Sequence, residues 1–141
     1  MEFVKKCEYT QSSPEERKNW GQNMWMIPMQ NFSETASASS AVSSWFGELG
    51  MFGVPNDLEY STSFSYQMAS RYSQLAWQNS NKIGCGVYWC STMTFAACEY
   101  NPAGNQVGST VYEKGDPCTK DSDCHCDGCV CLVEEALCLK K

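Results

Sequence analysis

The stretch Lys82-Ile83-Gly84-Cys85-Gly86-Val87-Tyr88-Trp89-Cys90-Ser91-Thr92-Met93-Thr94-Phe95-Ala96-Ala97-Cys98-Glu99-Tyr100 decides the fold class. Lys82 to Trp89 and Thr94 to Tyr100 are rich in aromatic and small apolar residues, as strands are. Cys90-Ser91-Thr92-Met93 between them is short enough for a hairpin. Asn101-Pro102-Ala103-Gly104-Asn105 follows as a turn cluster. Outward from this core, Gly108 to Tyr112 reads as a third strand and Met24-Trp25-Met26-Ile27 as another short one. Ser33 to Leu49 reads as a helix: Ser33 suits the N-cap, Glu34 the first turn, and Ala38, Ala41, Val42, Trp45 and Leu49 recur at helical spacing. Gly50 is the expected stop. Ser65 to Gln78 reads as a second helix, with Met68, Tyr72, Leu75 and Ala76 on one side. Helices flanking a mostly antiparallel sheet define an α+β class.

Composition narrows the functions. The chain has 141 residues, ten cysteines and one histidine. Ten basic against sixteen acidic residues leave a net charge of −6. With no basic cluster, nucleic acid and anionic membrane are not the expected partners. A hydrophobic content of 43% with 13% aromatics excludes a disordered chain. No apolar run approaches ~18 residues, so no membrane span is expected. An even cysteine count in an acidic, aromatic-rich chain points to an oxidising compartment and a disulfide framework. Zinc is the competing use of cysteine, and one histidine leaves only an all-cysteine site open. Met1-Glu2-Phe3-Val4-Lys5-Lys6 is not an apolar leader. A secreted reading therefore implies a mature or truncated form.

The cysteines divide the chain. Cys7 stands alone, Cys85, Cys90 and Cys98 form a middle group, and Cys118, Cys124, Cys126, Cys129, Cys131 and Cys138 crowd the end. Gly115-Asp116-Pro117 is a turn-type break. Residues 1–115 are read as one globular domain. Residues 116–141 form a tail too poor in large apolar residues to fold without staples. Ser12 to Arg17 and Gly50 to Thr62 read as loops.

Four segments then occur in a telling order: Gly21-Gln22-Asn23-Met24-Trp25; Val42-Ser43-Ser44-Trp45-Phe46-Gly47-Glu48; Arg71-Tyr72-Ser73-Gln74-Leu75-Ala76-Trp77 running into Ile83-Gly84-Cys85-Gly86; and Cys98-Glu99-Tyr100-Asn101-Pro102-Ala103-Gly104-Asn105. Over roughly residues 5 to 118 the chain resembles the CAP superfamily of cysteine-rich secretory, antigen 5 and pathogenesis-related-1 proteins. Gly115-Asp116-Pro117-Cys118 resembles the nematode branch, the activation-associated secreted, venom-allergen-like proteins. The resemblance implies a three-layer α-β-α sandwich followed by a disulfide-rich C-terminal tail. It also implies Cys7 paired with Cys90 and Cys85 with Cys98. The second pair suits neighbouring strands of the hairpin as well. In the chain-entropy model the long Cys7–Cys90 closure adds about 4–5 kcal/mol. The six tail cysteines allow many connectivities, and their pairing stays open.

Departures from the family matter as much. The family's long first helix, with its histidine, has no counterpart here, so an exposed apolar patch is expected where it would pack. The family cleft holds two histidines and two glutamates. The first histidine is absent, the first glutamate corresponds to Gln22, the second is Glu48, and the second histidine corresponds to Arg71. A guanidinium has donors and no acceptor, and Gln22 carries no charge, so no metal and no cofactor are expected in this cleft. Acid/base catalysis there lacks a histidine relay. Glu48 and Arg71 are expected to pair within the cleft, with the small stabilisation of a surface ion pair.

Other residues carry weaker signals. His125, in Cys124-His125-Cys126-Asp127-Gly128-Cys129, is read as an exposed tail residue rather than a metal ligand. Cys126-Asp127-Gly128-Cys129 has redox spacing without a strand–helix context. No Ser/His/Asp triad can form when the lone histidine lies in the tail. Asn31-Phe32-Ser33 is a candidate glycosylation sequon. Phe52, Tyr60, Phe64 and Tyr66 are candidate ligand aromatics, with core packing as the competing reading. The expected function is that of a secreted, non-enzymatic protein that binds extracellular or host proteins. The alternative is binding and transport of a small lipid, a sterol or fatty acid.

Overall fold

The computed structural model describes residues 1–63 and 69–140. Three strands form the central sheet: β1 (Gly21–Ile27), β2 (Lys82–Trp89) and β3 (Thr94–Asn101). The order is β1-β3-β2 and both pairings are antiparallel. The hairpin register sets Cys85 directly opposite Cys98, and the two are disulfide-bonded. β1 begins three residues earlier than its apolar run because Gly21, Gln22 and Asn23 find partners in Tyr100, Glu99 and Cys98.

β3 is buried on both faces, as a central strand covered twice must be. Ala96, Cys98 and Tyr100 pack with Ala41 and Trp45 of helix α1 (Glu34–Phe52). Phe95 and Ala97 point the other way, onto Val4, Cys90 and Met93, with Met1 and Phe3 against them. Among the described residues this second layer is a single 3₁₀ turn, Phe3–Lys6, held by the Cys7–Cys90 disulfide. Edge strand β2 is the less covered, with Ile83, Tyr88 and Trp89 exposed.

Trp45 is 1% exposed, and its indole Nε1 donates to the Met24 carbonyl at 3.0 Å, tying α1 to β1. Truncating such a ring costs about 3–5 kcal/mol. Ser33 caps α1 by accepting from the Ala36 amide. The helix runs through Gly50 and stops at Gly53, whose φ of 69° suits a residue without a Cβ. One helical interior glycine costs only about 1 kcal/mol, which tertiary packing overrides.

The second expected helix is shorter than its spacing predicts. Its described part is α2 (Ser70–Leu75), which gives way to turns at Ala76 and Trp77 once the Gln78 amide bonds the Val111 carbonyl. Gly108 to Tyr112 is not a strand of the sheet. Its backbone pairs with the loop at Leu58 and Tyr60, where Glu59 and Thr110 form an isolated bridge. Tyr60, Ala69, Trp77 and Val111 make a separate small core there.

In the tail, β4 (Cys129–Leu132) and β5 (Leu137–Lys140) pair antiparallel. Cys118 bonds Cys131, Cys124 bonds Cys138, and Cys126 bonds Cys129. The sulfurs of Cys118, Cys124 and Cys138 lie within 4.8 Å of one another, but each belongs to a disulfide and has no thiolate to offer a metal. Asp123 orders the turn before them. Its carboxylate accepts from the Thr119 amide and hydroxyl and from the Lys120 amide, bonds that hold its pKa below the ordinary value.

Candidate functional site

Gln22, Glu48 and Arg71 converge between α1, α2 and β1. Glu48 sits in α1 with only 3% of its surface exposed. Its Oε1 accepts from Arg71 Nη1 at 2.7 Å. Its Oε2 accepts from the backbone amides of Arg71 and Tyr72, each at 3.0 Å. Those amides belong to the first turn of α2, whose N-cap Ala69 has no side chain able to satisfy them. Glu48 therefore caps α2 from another helix, placing a negative charge where unpaired N–H groups favour one. The ion pair is buried on its acidic side only. The Arg71 side chain is 43% exposed and that of Glu48 only 4%.

Gln22 is held from the other side. Its Oε1 accepts from the Ser12 amide at 3.1 Å and the Ser12 hydroxyl at 3.2 Å. A backbone N–H can only donate, so the amide orientation is set and Nε2 faces away. That Nε2 is buried and has no partner among the described residues. An unmet buried donor costs about 1–3 kcal/mol.

Asparagines and a tyrosine complete the frame. Asn23 Nδ2 donates to the Arg71 carbonyl at 2.9 Å and to the Tyr100 hydroxyl at 3.3 Å. Asn105 Nδ2 donates to the Ser70 carbonyl at 2.8 Å, and its Oδ1 accepts from Ser73 at 2.6 Å. Burial raises the Tyr100 phenol to about 12, a shift that the Asn23 bond partly offsets. Burial and the Tyr112 contact raise that of Tyr72 too. Gly21 permits the closure, because a Cβ there would meet Gln74 Oε1 at 1.9 Å. The result is a polar cleft of about 390 Å³ whose walls include Tyr9, Gln22, Asn23, Tyr60, Arg71 and Asn105.

This donor set does not fit a divalent metal. Both Glu48 oxygens are committed, Gln22 turns a donor inward, and Arg71 brings its own positive charge.

The structure brings together Gln22, Glu48 and Arg71, but not the aromatics. Tyr60 is buried against Trp77, at a centroid distance of 6.2 Å. Phe52 is exposed at the end of α1, and Phe64 and Tyr66 lie outside the described residues. Asn31 is exposed just before α1, and His125 is exposed in the tail. Ser12, Asn23 and Asn105 are site residues that sequence reasoning did not assign. Asn23 and Asn105 stood inside quoted motifs, whereas nothing local marks Ser12.

Known proteins share this sequence pattern and fold. The family model described as "Cysteine-rich secretory protein family" matches residues 1–100. The Ancylostoma secreted protein of Ancylostoma caninum is 34% identical over 136 residues, covering 94% of this chain and 31% of that protein. Human cysteine-rich secretory protein 2 is 32% identical over 144 residues, covering 92% of this chain and 53% of that protein. The chain thus spans between about a third and a half of these curated relatives. A crystal structure of NaASP2 with Zn2+ superposes with a TM-score of 0.88 at 35% identity, over 99% of this chain and 70% of that one. These relatives are secreted proteins by name, and no helix among the described residues is long and apolar enough to cross a membrane. With the family match and the shared α+β fold, the chain belongs to the cysteine-rich secretory protein (CAP) family.

Proposed function

We propose that this CAP domain acts outside the cell, without catalysis, by binding extracellular or host proteins, with residues 116–141 as a stapled appendage. The observation that carries the reading is the outer surface of α1. Val42 and Phe46, one turn apart, are 45% and 56% exposed, and the last turn adds exposed Met51 and Phe52. An exposed apolar pair such as Val42 and Phe46 on a rigid helix is a usual anchor of a protein interface. The bonds that Glu48 accepts from Arg71 and two α2 amides support the non-enzymatic part, since they stabilise the charged carboxylate and so weaken it as a proton acceptor.

Lipid transport is less well supported. The apolar space between α1 and the sheet, lined by Ala41, Trp45, Val87 and Ala96, is about 60 Å³. Ligand cavities run to roughly 300–1,000 Å³.

Biolayer interferometry against a panel of purified extracellular proteins tests the reading. A partner should be found whose affinity falls at least about tenfold for Val42→Glu/Phe46→Glu, with an unchanged melting temperature. Saturable micromolar uptake of radiolabelled sterol or fatty acid, with no protein partner, would replace it with the carrier reading.

A further inference from the structure

We propose that the cleft between β1 and α2 binds a compact oxyanion, with the Arg71 guanidinium as its anchor and the Gln22 amide as second donor. Among the described residues that line this space, Arg71 is the only charged one and none is a carboxylate. Glu48 is turned toward α2, where it accepts from two backbone amides and one guanidinium nitrogen, and Glu99, the cross-strand partner of Gln22, is not among the residues lining the cleft. Only Nη1 of Arg71 is bonded to it, and among the described residues no bond is formed by the other edge of this 43% exposed side chain, whose donors can face a ligand. A guanidinium edge matches the paired oxygens of carboxylate and phosphate.

The second observation is independent of Arg71. Gln22 is 8% exposed, lines the same cleft, and holds an Nε2 with no acceptor among the described residues. Its orientation follows from the Ser12 backbone amide, which holds the carbonyl oxygen and leaves Nε2 on the other branch of the side-chain amide. A buried donor without a partner at the wall of a cleft is one that a ligand acceptor can meet. Asn23 and Asn105 are committed to Ser70 and Arg71 carbonyls, so they fix the walls rather than contact the ligand. About 390 Å³ is room for a small metabolite and not for a chain of sugar or lipid. The cleft thus selects against divalent cations by carrying its cation within the chain.

The test uses the oxidised, 15N-labelled full chain at constant ionic strength. Inorganic phosphate and acetate are titrated separately, and zinc chloride in a third series. Saturable shifts of the Arg71 Nε and Gln22 side-chain resonances with phosphate or acetate are expected, and none at these positions with zinc. Acetate binding alone would mark a carboxylate ligand, and phosphate binding alone a phosphorylated one. Gln22→Glu keeps the acceptor for Ser12 but turns a charge toward the oxyanion, and should weaken binding by about tenfold or more. Arg71→Lys keeps the charge without the fork and should weaken it several-fold. Absence of saturable shifts up to tens of millimolar anion overturns the proposal. So does saturable zinc binding at the cleft, or a Gln22→Glu variant that binds as well as the parent.

Discussion

Replacing Glu48 with alanine should destabilise the domain far more than replacing its ion-pair partner Arg71. In Glu48→Ala the amides of Arg71 and Tyr72 both lose their acceptor inside the α1–α2 contact. Each unmet buried donor costs about 1–3 kcal/mol, so the loss is about 4 kcal/mol. That is a large share of the ~5–15 kcal/mol that holds most domains together. In Arg71→Ala both amide bonds to Glu48 remain, and water reaches the space vacated by a guanidinium already 43% exposed. Its cost should stay near 1 kcal/mol. Glu48→Gln keeps one acceptor oxygen and should fall between. Urea unfolding with disulfides intact, followed by tryptophan fluorescence at several temperatures, measures all three variants and the double mutant. Equal losses for Glu48→Ala and Arg71→Ala, within about 0.5 kcal/mol, would refute the capping role and leave only an ion pair.

Other outcomes follow from the same geometry. Cys7→Ser/Cys90→Ser opens a closure 83 residues long and should cost about 4–5 kcal/mol in the same unfolding assay. Asn31 is exposed, and the Phe32 amide and carbonyl beside it are pinned to Thr94 and Trp89. Protein from a eukaryotic secretory host should therefore lose mass on treatment with peptide N-glycosidase, and Asn31→Gln and Ser33→Ala should abolish that change while Ser33→Thr keeps it. Tyr100 should ionise later than exposed tyrosines in an ultraviolet titration, near pH 12. Its folded pKa lies above the unfolded value of about 10, so the unfolded chain releases this proton first. Stability is then intact below about pH 10 and falls between there and about pH 12, as urea midpoints measured across that range should show.

Strands β2 and β3 were legible because their patterns are local. Each needs about eight residues of suitable composition and a short turn between them. The start of α1 was legible for the same reason, since Ser33 caps an amide only three residues away. Its end was not. Gly50 and Gly53 are alike as letters, and only the backbone angle at Gly53 tells the terminator from a tolerated interior glycine. Gly108 to Tyr112 has the composition of a strand but pairs with a loop fifty residues earlier, a choice no local signal records.

By itself the sequence determined the α+β class, the CAP family membership and the disulfide chemistry. These rest on residue identity and order. Tertiary structure alone decided how the six tail cysteines pair, that Glu48 caps α2 across a gap of 24 residues to Tyr72, and that Ser12 turns the Gln22 donor inward. The physical reason is common to all three. A hydrogen bond or disulfide forms between whichever groups the folded chain brings within about 3 Å, and separation along the sequence says nothing about that distance.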